Sequence, residues 1–316
     1  MDLAKKSMFF TLIGIMLVTL FIVSYSVYVQ YRYNNKMDVI ETRVNTMNDF
    51  INSVEKDLER ALYISSFRAL VSLTNYISSN GTFLEDVESA FERILLNGTI
   101  VNESVEYLMY NQTMTDWVNR IIRLGRNIDI ITQINISNVT ITQRDAWHVT
   151  VGINVNISIE DLKHIAQWER KSRIEALVDI DGLEDPVYTI MTNGTLMRTI
   201  RRTNFSVWDY NAFKTHFTNR TYRAYNGAPS FLMRMEGNLG ASPYGIETLV
   251  DTNELKTYKD DYEFKNRSSV DYLYWGNKSD ILYEIVNLTQ EGYYDFRLDD
   301  EHVISYNVLC CNKTPS

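Results

Sequence analysis

Cysteine is nearly absent from this chain, with two residues among 316, and proline occurs only four times. Cys310 and Cys311 are adjacent near the C-terminus, so they cannot join distant segments of the chain. They could form a strained vicinal disulfide, bond to another chain or remain thiols. The scarcity of both residue types excludes a conventional disulfide framework and a long proline-rich linker.

Basic charge is also in short supply. The chain has 31 lysines and arginines against 40 acidic residues, a formal net charge of −9. This acidic surplus argues against nucleic acid as a partner, because nucleic-acid binding requires a basic face. There is no P-loop, no GxGxxG segment and no CxxC pair, so the sequence predicts no cofactor. Zinc spacing is missing too, and we predict no metal site but surface or core positions for the histidines His148, His164, His216 and His302.

Two segments match catalytic or calcium motifs only in part. The segment 240–245 is similar to a nucleophile elbow around Ser242, but its second glycine is one position late and Pro243 follows the serine. The segment 179–185 spaces its carboxylates as in part of a calcium loop, yet the distal glutamate and further oxygen ligands are missing. We therefore predict two turns here, and no catalytic residue.

A long apolar run lies near the N-terminus. Residues 8–29 contain no charged side chain over 22 positions, which is enough to cross a hydrocarbon core of roughly 30 Å. The run is longer than the apolar part of a cleaved signal, and the tyrosines that follow it suit an interfacial aromatic belt. Because Lys5 and Lys6 precede the run, the positive-inside rule predicts a cytoplasmic tail over 1–7 and a retained transmembrane helix over 8–30.

Asn-x-Ser/Thr triplets, the acceptors of N-linked glycans, are far more frequent than chance allows. Of 28 asparagines 14 begin such a triplet, whereas the 48 serines and threonines predict about four. Six asparagines precede residue 80, yet none of them begins a triplet. This onset predicts a glycosylated extracellular region, with acceptors at Asn80, Asn97, Asn102, Asn111, Asn135, Asn138, Asn156, Asn193, Asn204, Asn219, Asn266, Asn277, Asn287 and Asn312.

Residues 31–79 are predicted to form an amphipathic helical stalk that ends at a turn over 78–81. Apolar residues follow 3,4 spacing at Met37, Ile40, Val44, Met47, Ile51, Val54, Leu58 and Ala61. This stripe is typical of a coiled-coil seam, through which two copies could associate. Phe50, Leu62 and Ile64 widen it, so packing against the protein's own globular part is an equally good interpretation.

The rest of the chain is predicted to form an outer domain with a helical part over 80–127. Helices are expected at 83–96 and 104–126, separated by short asparagine-rich loops.

Alternating apolar residues predict strands in the mixed β-rich part of the outer domain, 128–316. The pattern is regular over 149–159, recurs at 174–180, and changes phase near residue 138 in a run that begins at Ile128, which predicts a bulge or turn. These patterns place Asn135 and Asn156 on solvent faces. The fold class is therefore α+β, with an N-terminal transmembrane helix, a long amphipathic helix and short helices, then a mainly antiparallel sheet region.

At the start of the apolar run, residues 5–7, Lys-Lys-Ser, are followed at once by Met8 and two phenylalanines. This segment is similar to the junction that prepilin peptidases cleave, here between Ser7 and Met8, and so the N-terminus resembles that of archaeal surface proteins with type IV pilin-like N-termini. An apolar helix that continues into an amphipathic one is also similar to a pilin rod and head. The family's glutamate just after the junction is missing, because Thr11 and Leu12 stand there.

Two further segments, 181–188 and 242–250, resemble archaeal membrane-anchored proteins. An outer domain without a conventional disulfide framework but with many glycan acceptors is also more natural in an archaeon than in an animal secreted protein.

The sequence favours a non-enzymatic, single-pass, glycosylated surface protein with a structural, adhesive or assembly role. Its partners would be membrane lipid, a second copy bound through the stalk, and pilus or envelope proteins. A minor pilin or pseudopilin is the first alternative. An anchored extracytoplasmic hydrolase or ligand-binding protein that uses the acidic turns is the second.

Overall fold

A computed structural model describes residues 2–100, 106–258, 267–276 and 281–308, with side chains from residue 9 onward except that of Tyr258. The described chain divides into two units. The first comprises Met1–Lys56, Ile121–Ile134 and Ile157–Arg170, and the second comprises Asp57–Arg120, Asn135–Asn156 and Lys171–Ser316. Several predictions lie outside the described residues or side chains: those on Ser7, Met8, Asn102, Asn266, Asn277, Cys310, Cys311 and Asn312.

Helix α1 runs without interruption over Asp2–Asn80 and is 79 residues long. It unites the segments predicted as tail, span and stalk. Its apolar window has a mean hydropathy of 2.3, is unburied by the rest of the chain, and is long enough to cross a membrane. The helix ends where predicted: Gly81 has a φ of +66° and its N–H bonds the Ile77 carbonyl at 2.9 Å.

The apolar stripe of α1 changes its surroundings along the helix. Met37 and Val39 are exposed, whereas the stripe from Met47 onward is buried by the protein's own chain. Packing on the protein's own globular part therefore accounts for this half of the stripe. The buried positions are Met47, Ile51, Val54, Leu58, Leu62, Ala69, Leu70, Leu73 and Ile77.

The helical part that follows is shorter than predicted. Helix α2 spans Val87–Asn97 and begins after Asp86, whose side chain accepts the N–H of Glu88. Helix α3 spans Met114–Asn127, not 104–126, because Thr113 and Asp116 form a capping box that starts it. A single 3-10 turn at Tyr107–Met109 precedes it.

The three long strands form one sheet in the order β1–β2–β3, with β1 at Ile130–Gln143, β2 at His148–Asp161 and β3 at Gln167–Asp179. Connections of four or five residues require neighbouring strands to run antiparallel. The predicted change of phase occurs in β1, where Asn138 has a φ of +51°. Strand β2 lies between the other two, so even its polar side is largely covered, and Asn156 is half-buried instead of exposed.

After residue 180 the described chain is mixed and its small sheets are antiparallel, but the prediction that sheet predominates is wrong there. Short helices outnumber strands: α4 (Pro186–Met191), α5 (Tyr210–Thr218), α6 (Phe231–Met235), α7 (Thr252–Tyr258), α8 (Asp271–Trp275), α9 (Val286–Gln290) and α10 (Asp300–Ser305). The strands there form two antiparallel pairs, β4 (Arg223–Ala224) with β5 (Ile246–Glu247) and β6 (Leu282–Glu284) with β7 (Arg297–Asp299). An aromatic core that includes Phe213, Phe217, Phe296 and Tyr306 joins this part.

Candidate functional site

The second unit buries an unusual group of charged side chains. We call it the buried ionic network, and its members are Asp185, Arg223, Arg234, Glu247, Asp271, Asp299 and His302, none more than 6% exposed. Charged groups are rarely this deeply buried unless they are paired. The network is therefore the first place to look for chemistry.

One part of the network surrounds Arg234. Its guanidinium nitrogens lie 2.7 Å from Asp185 Oδ2 and 2.7 Å from Asp271 Oδ2. Asp185 also caps α4 through the N–H of Val187, and accepts a hydrogen bond from the Tyr222 hydroxyl at 2.8 Å. Burial raises the pKa of Asp271 to about 6 despite the attraction of Arg234, since one cation must serve two carboxylates.

The other part surrounds Glu247. Strands β4 and β5 place Arg223 directly opposite Glu247, and Arg223 Nε donates to Glu247 Oε1 at 2.6 Å. Helix α10 begins after Asp299, which positions His302 one turn later, 2.7 Å from the Asp299 carboxylate. The other ring nitrogen of His302 lies 3.0 Å from Glu247 Oε2.

His302 is held as an imidazolium. Burial alone would lower its pKa, but the hydrogen bonds and charges of Asp299 and Glu247 raise it to about 9. Two cations, His302 and Arg223, then balance two carboxylates, so this half of the network is neutral at pH 7. The pKa of both carboxyls is lowered against the effect of burial, chiefly by the hydrogen bonds from His302.

This arrangement lacks what nucleophilic catalysis needs. A catalytic histidine uses one nitrogen for an orienting carboxylate and the other for a nucleophile. In His302 both nitrogens face carboxylates, and Glu247 is entirely inaccessible to solvent. A substrate could reach His302 and Glu247 only if the fold opened. The contacts of the network join α6 to α8 and join β4, β5 and α10.

The structure brings together two of the four histidines that the sequence left scattered. His216 is buried with its Nε2 3.3 Å from the Tyr306 hydroxyl, which in turn donates to Glu247 at 3.1 Å. Burial lowers the pKa of His216 to about 3, so it is neutral. His148 and His164 lie elsewhere and face the local carboxylates Asp145 and Glu160.

The partial motifs of the sequence are occupied by internal contacts. Ser242 is buried and its hydroxyl accepts the N–H of Tyr244, as expected of a turn. In the acidic segment, Asp181 accepts the N–H of Arg202, and Glu184 accepts the hydroxyls of Ser78 and Thr189. Within the described ranges, no group of three or more histidine, cysteine, aspartate or glutamate side chains is placed so that it could hold a metal ion.

Most predicted glycan acceptors lie on the surface. Ten are described, and nine of these are exposed: Asn80, Asn97, Asn111, Asn135, Asn138, Asn193, Asn204, Asn219 and Asn287. Only Asn156 is half-buried. Asn111, Asn138 and Asn193 have positive φ, a conformation that asparagine tolerates better than most residues. Backbone geometry thus explains those three asparagines, but it does not explain the hydroxyl residue two positions later.

Sequence reasoning missed the network, although a signal was present. Arg234, Glu247 and Asp271 each interrupt a run of apolar residues, at 231–235, 246–250 and 270–275. A charge inside such a run is buried with the run and must find partners.

In comparisons with known proteins, no family model, no curated protein and no solved structure matches this chain.

Proposed function

We propose that this chain is a membrane-anchored, N-glycosylated surface protein of the extracytoplasmic side, with a structural, adhesive or assembly role. One observation carries the proposal: α1 leaves its apolar run, residues 9–29, uncovered while the same helix continues into a packed part of the chain. A helical segment that is apolar all round is stable in lipid.

The distribution of glycan acceptors supports the extracytoplasmic side. They begin where α1 ends, at Asn80, and nine of the ten described ones are open to a transferase. The buried ionic network supports a non-catalytic role, since its charged groups bind one another.

Glycopeptide mapping of the full chain, purified from the membranes of its native host, tests the assignment of side. We expect glycans on the exposed acceptors and a lower occupancy at the half-buried Asn156. Asn226 and Asn238, which begin no triplet, serve as internal controls and should be unmodified. Unmodified asparagines throughout would contradict an extracytoplasmic outer domain.

The continuity of α1 favours a second candidate, a minor pilin-like subunit. In such a subunit the apolar run of α1 would pack against the same run of other copies in a filament, and it would not remain in lipid. N-terminal mass spectrometry distinguishes the two roles. A chain that begins at Met8 supports the pilin-like subunit, and one that begins at Met1 excludes processing at that junction.

A further inference from the structure

A small cavity of the second unit is lined by three arginines and, among the described residues, by no acidic side chain. Its volume is about 190 Å³. One water molecule takes up about 30 Å³ of the liquid, so the cavity has room for a small ion together with water. We call it the arginine cavity, and its lining residues are Met197, Arg198, Thr199, Arg201, Asn219 and Arg220.

Backbone hydrogen bonds position the three arginines. The carbonyls of Arg198 and Arg201 each accept a main-chain N–H from a neighbouring segment, both at 2.7 Å. Arg220 follows the end of α5, and its own N–H bonds the Phe217 carbonyl at 3.2 Å. The fold thus brings arginines from two separate segments to one cavity and holds the backbone that carries them.

Arg198 is the most deeply buried of the three, with its side chain only 5% exposed. Its guanidinium lies over the ring of Tyr188, 4.3 Å from the ring centre. It donates to the Leu249 carbonyl at 3.0 Å and to Glu254 at 3.1 Å. A guanidinium has five N–H donors, so these two contacts leave part of its donor capacity for a ligand.

One carboxylate holds two of the guanidinium groups side by side. Glu254 lies 3.1 Å from Arg198 and 2.8 Å from Arg220, with one oxygen toward each. Within the residues that the structure describes, the Arg201 side chain makes no ion pair or hydrogen bond. Three cations and one carboxylate therefore leave a net charge of +2 at the cavity, in a chain whose net charge is −9.

This surplus of positive charge selects a class of ligand. Guanidinium groups held close together repel one another, and an anion between them removes that repulsion. Arginine binds phosphate through paired N–H groups, which match the spacing of the phosphate oxygens. A phosphate monoester carries about 1.5 to 2 negative charges at pH 7 and presents three acceptor oxygens. It therefore matches the cavity in both charge and hydrogen bonding.

We propose that the arginine cavity is a binding site for a phosphate group. Arg198 supplies the buried donors, and Arg201 and Arg220 supply the exposed ones. The inference goes beyond the proposed function and does not depend on the anchor, because every contact that it uses lies within the second unit.

Two sources would supply such a group. Asn219, one of the predicted glycan acceptors, is exposed and lines the same cavity. A glycan attached there would begin at the cavity, so the phosphate group would belong either to a sugar of this glycan or to a separate molecule.

Equilibrium dialysis with radiolabelled inorganic phosphate tests the site on the full chain in dodecyl maltoside, at neutral pH and constant ionic strength. We expect one saturable site per chain, from which glucose 6-phosphate displaces the label and glucose does not. Arg201→Gln should weaken binding about tenfold, because a charge-assisted contact is lost. Arg202→Gln is the matched control: Arg202 is also exposed and loses the same charge, but it lies over the Trp147 ring and does not line the cavity. It should leave the affinity nearly unchanged.

Asn219→Gln distinguishes the two sources of phosphate. Tighter binding of added phosphate by this variant than by the wild type would identify the chain's own glycan as the occupant. Equal binding by the two would identify a separate molecule. No saturable binding by either chain would overturn the site. Equal weakening by Arg201→Gln and Arg202→Gln would also overturn it, since binding would then depend on general positive charge. Neither result would affect the proposed anchor.

Discussion

Two regions of this molecule reverse the usual distribution of residues in a folded protein. The first half of α1, residues 9–39, exposes its apolar side chains, including Phe10 and Phe21 at 71% and 72%. The second unit does the opposite and buries the seven charged side chains of the buried ionic network. Soluble proteins rarely expose a continuous apolar surface, and they rarely bury charges unless these are paired.

The two regions differ in whether their side chains find contact partners within the same chain. Each cation of the buried ionic network faces carboxylates of the same chain, so the network needs no outside partner. The apolar run of α1, residues 9–29, is not buried by any part of the described chain, so nothing in the described residues completes its surroundings. Lipid, or the same helix of other copies, would supply them.

The largest effect is expected when the network loses its central cation. Arg234→Met removes the cation that pairs with both Asp185 and Asp271. The two buried carboxylates then have no positive charge of Arg234 to balance them. We expect the free energy of unfolding to fall by about 3–5 kcal/mol, measured by denaturant titration of the full chain in detergent. Arg201→Met, at an exposed arginine, should change it by less than about 0.5 kcal/mol. If both variants lowered the free energy of unfolding equally, the buried ion pairs of Arg234 would not account for its effect on stability.

A matched pair of leucines within α1 compares the two regions directly. Leu58 is fully buried, whereas Leu17 is 53% exposed. Leu58→Ala should lower the free energy of unfolding of the second unit by about 2–5 kcal/mol, because it leaves a cavity. Leu17→Ala should leave that quantity unchanged within about 0.5 kcal/mol. A comparable loss at Leu17 would mean that the first half of α1 packs on the chain after all.

A smaller effect is expected from pH, because only part of the stabilisation by protonated His302 is lost by pH 9. The folded chain binds the His302 proton more tightly than the unfolded chain, since the pKa rises from 6.5 to about 9. The stabilisation is therefore fully present below pH 6.5 and is lost as pH rises through about 9. The shifted pKa values of His216 and Asp271 lie at about 3 and about 6, so above pH 7 neither group changes its charge.

Urea midpoints at pH 7.5, 8.25 and 9 measure this dependence. The wild-type midpoint should fall over the range, and His302→Gln should flatten the decline. An unchanged slope in the variant would assign the pH dependence to another group.

The sequence predicted those elements whose pattern is local. The end of α1 at Gly81, the strand at 149–159 and the change of phase at Asn138 all follow from spacing and turn residues within a few positions. The late start of α3 was missed, although Thr113 and Asp116 form a capping box that the sequence also contains.

The region after residue 180 could not be predicted in the same way. Its short helices and strands are fixed by contacts between residues far apart in the chain, such as Arg223 with Glu247, 24 positions away, and Arg234 with Asp185, 49 positions away. No pattern of period two or 3.6 records such a pairing. The charges inside the apolar runs show that pairing is required, but they do not identify the partners.

The central claim is that the apolar run of α1 is retained in the membrane. Alkaline extraction of native membranes, followed by intact-mass measurement, tests this claim most directly. The account predicts that the chain stays in the membrane pellet and still contains residues 8–30. A chain released into the supernatant, with a new N-terminus after residue 30, would contradict it and identify the apolar run as a removed signal.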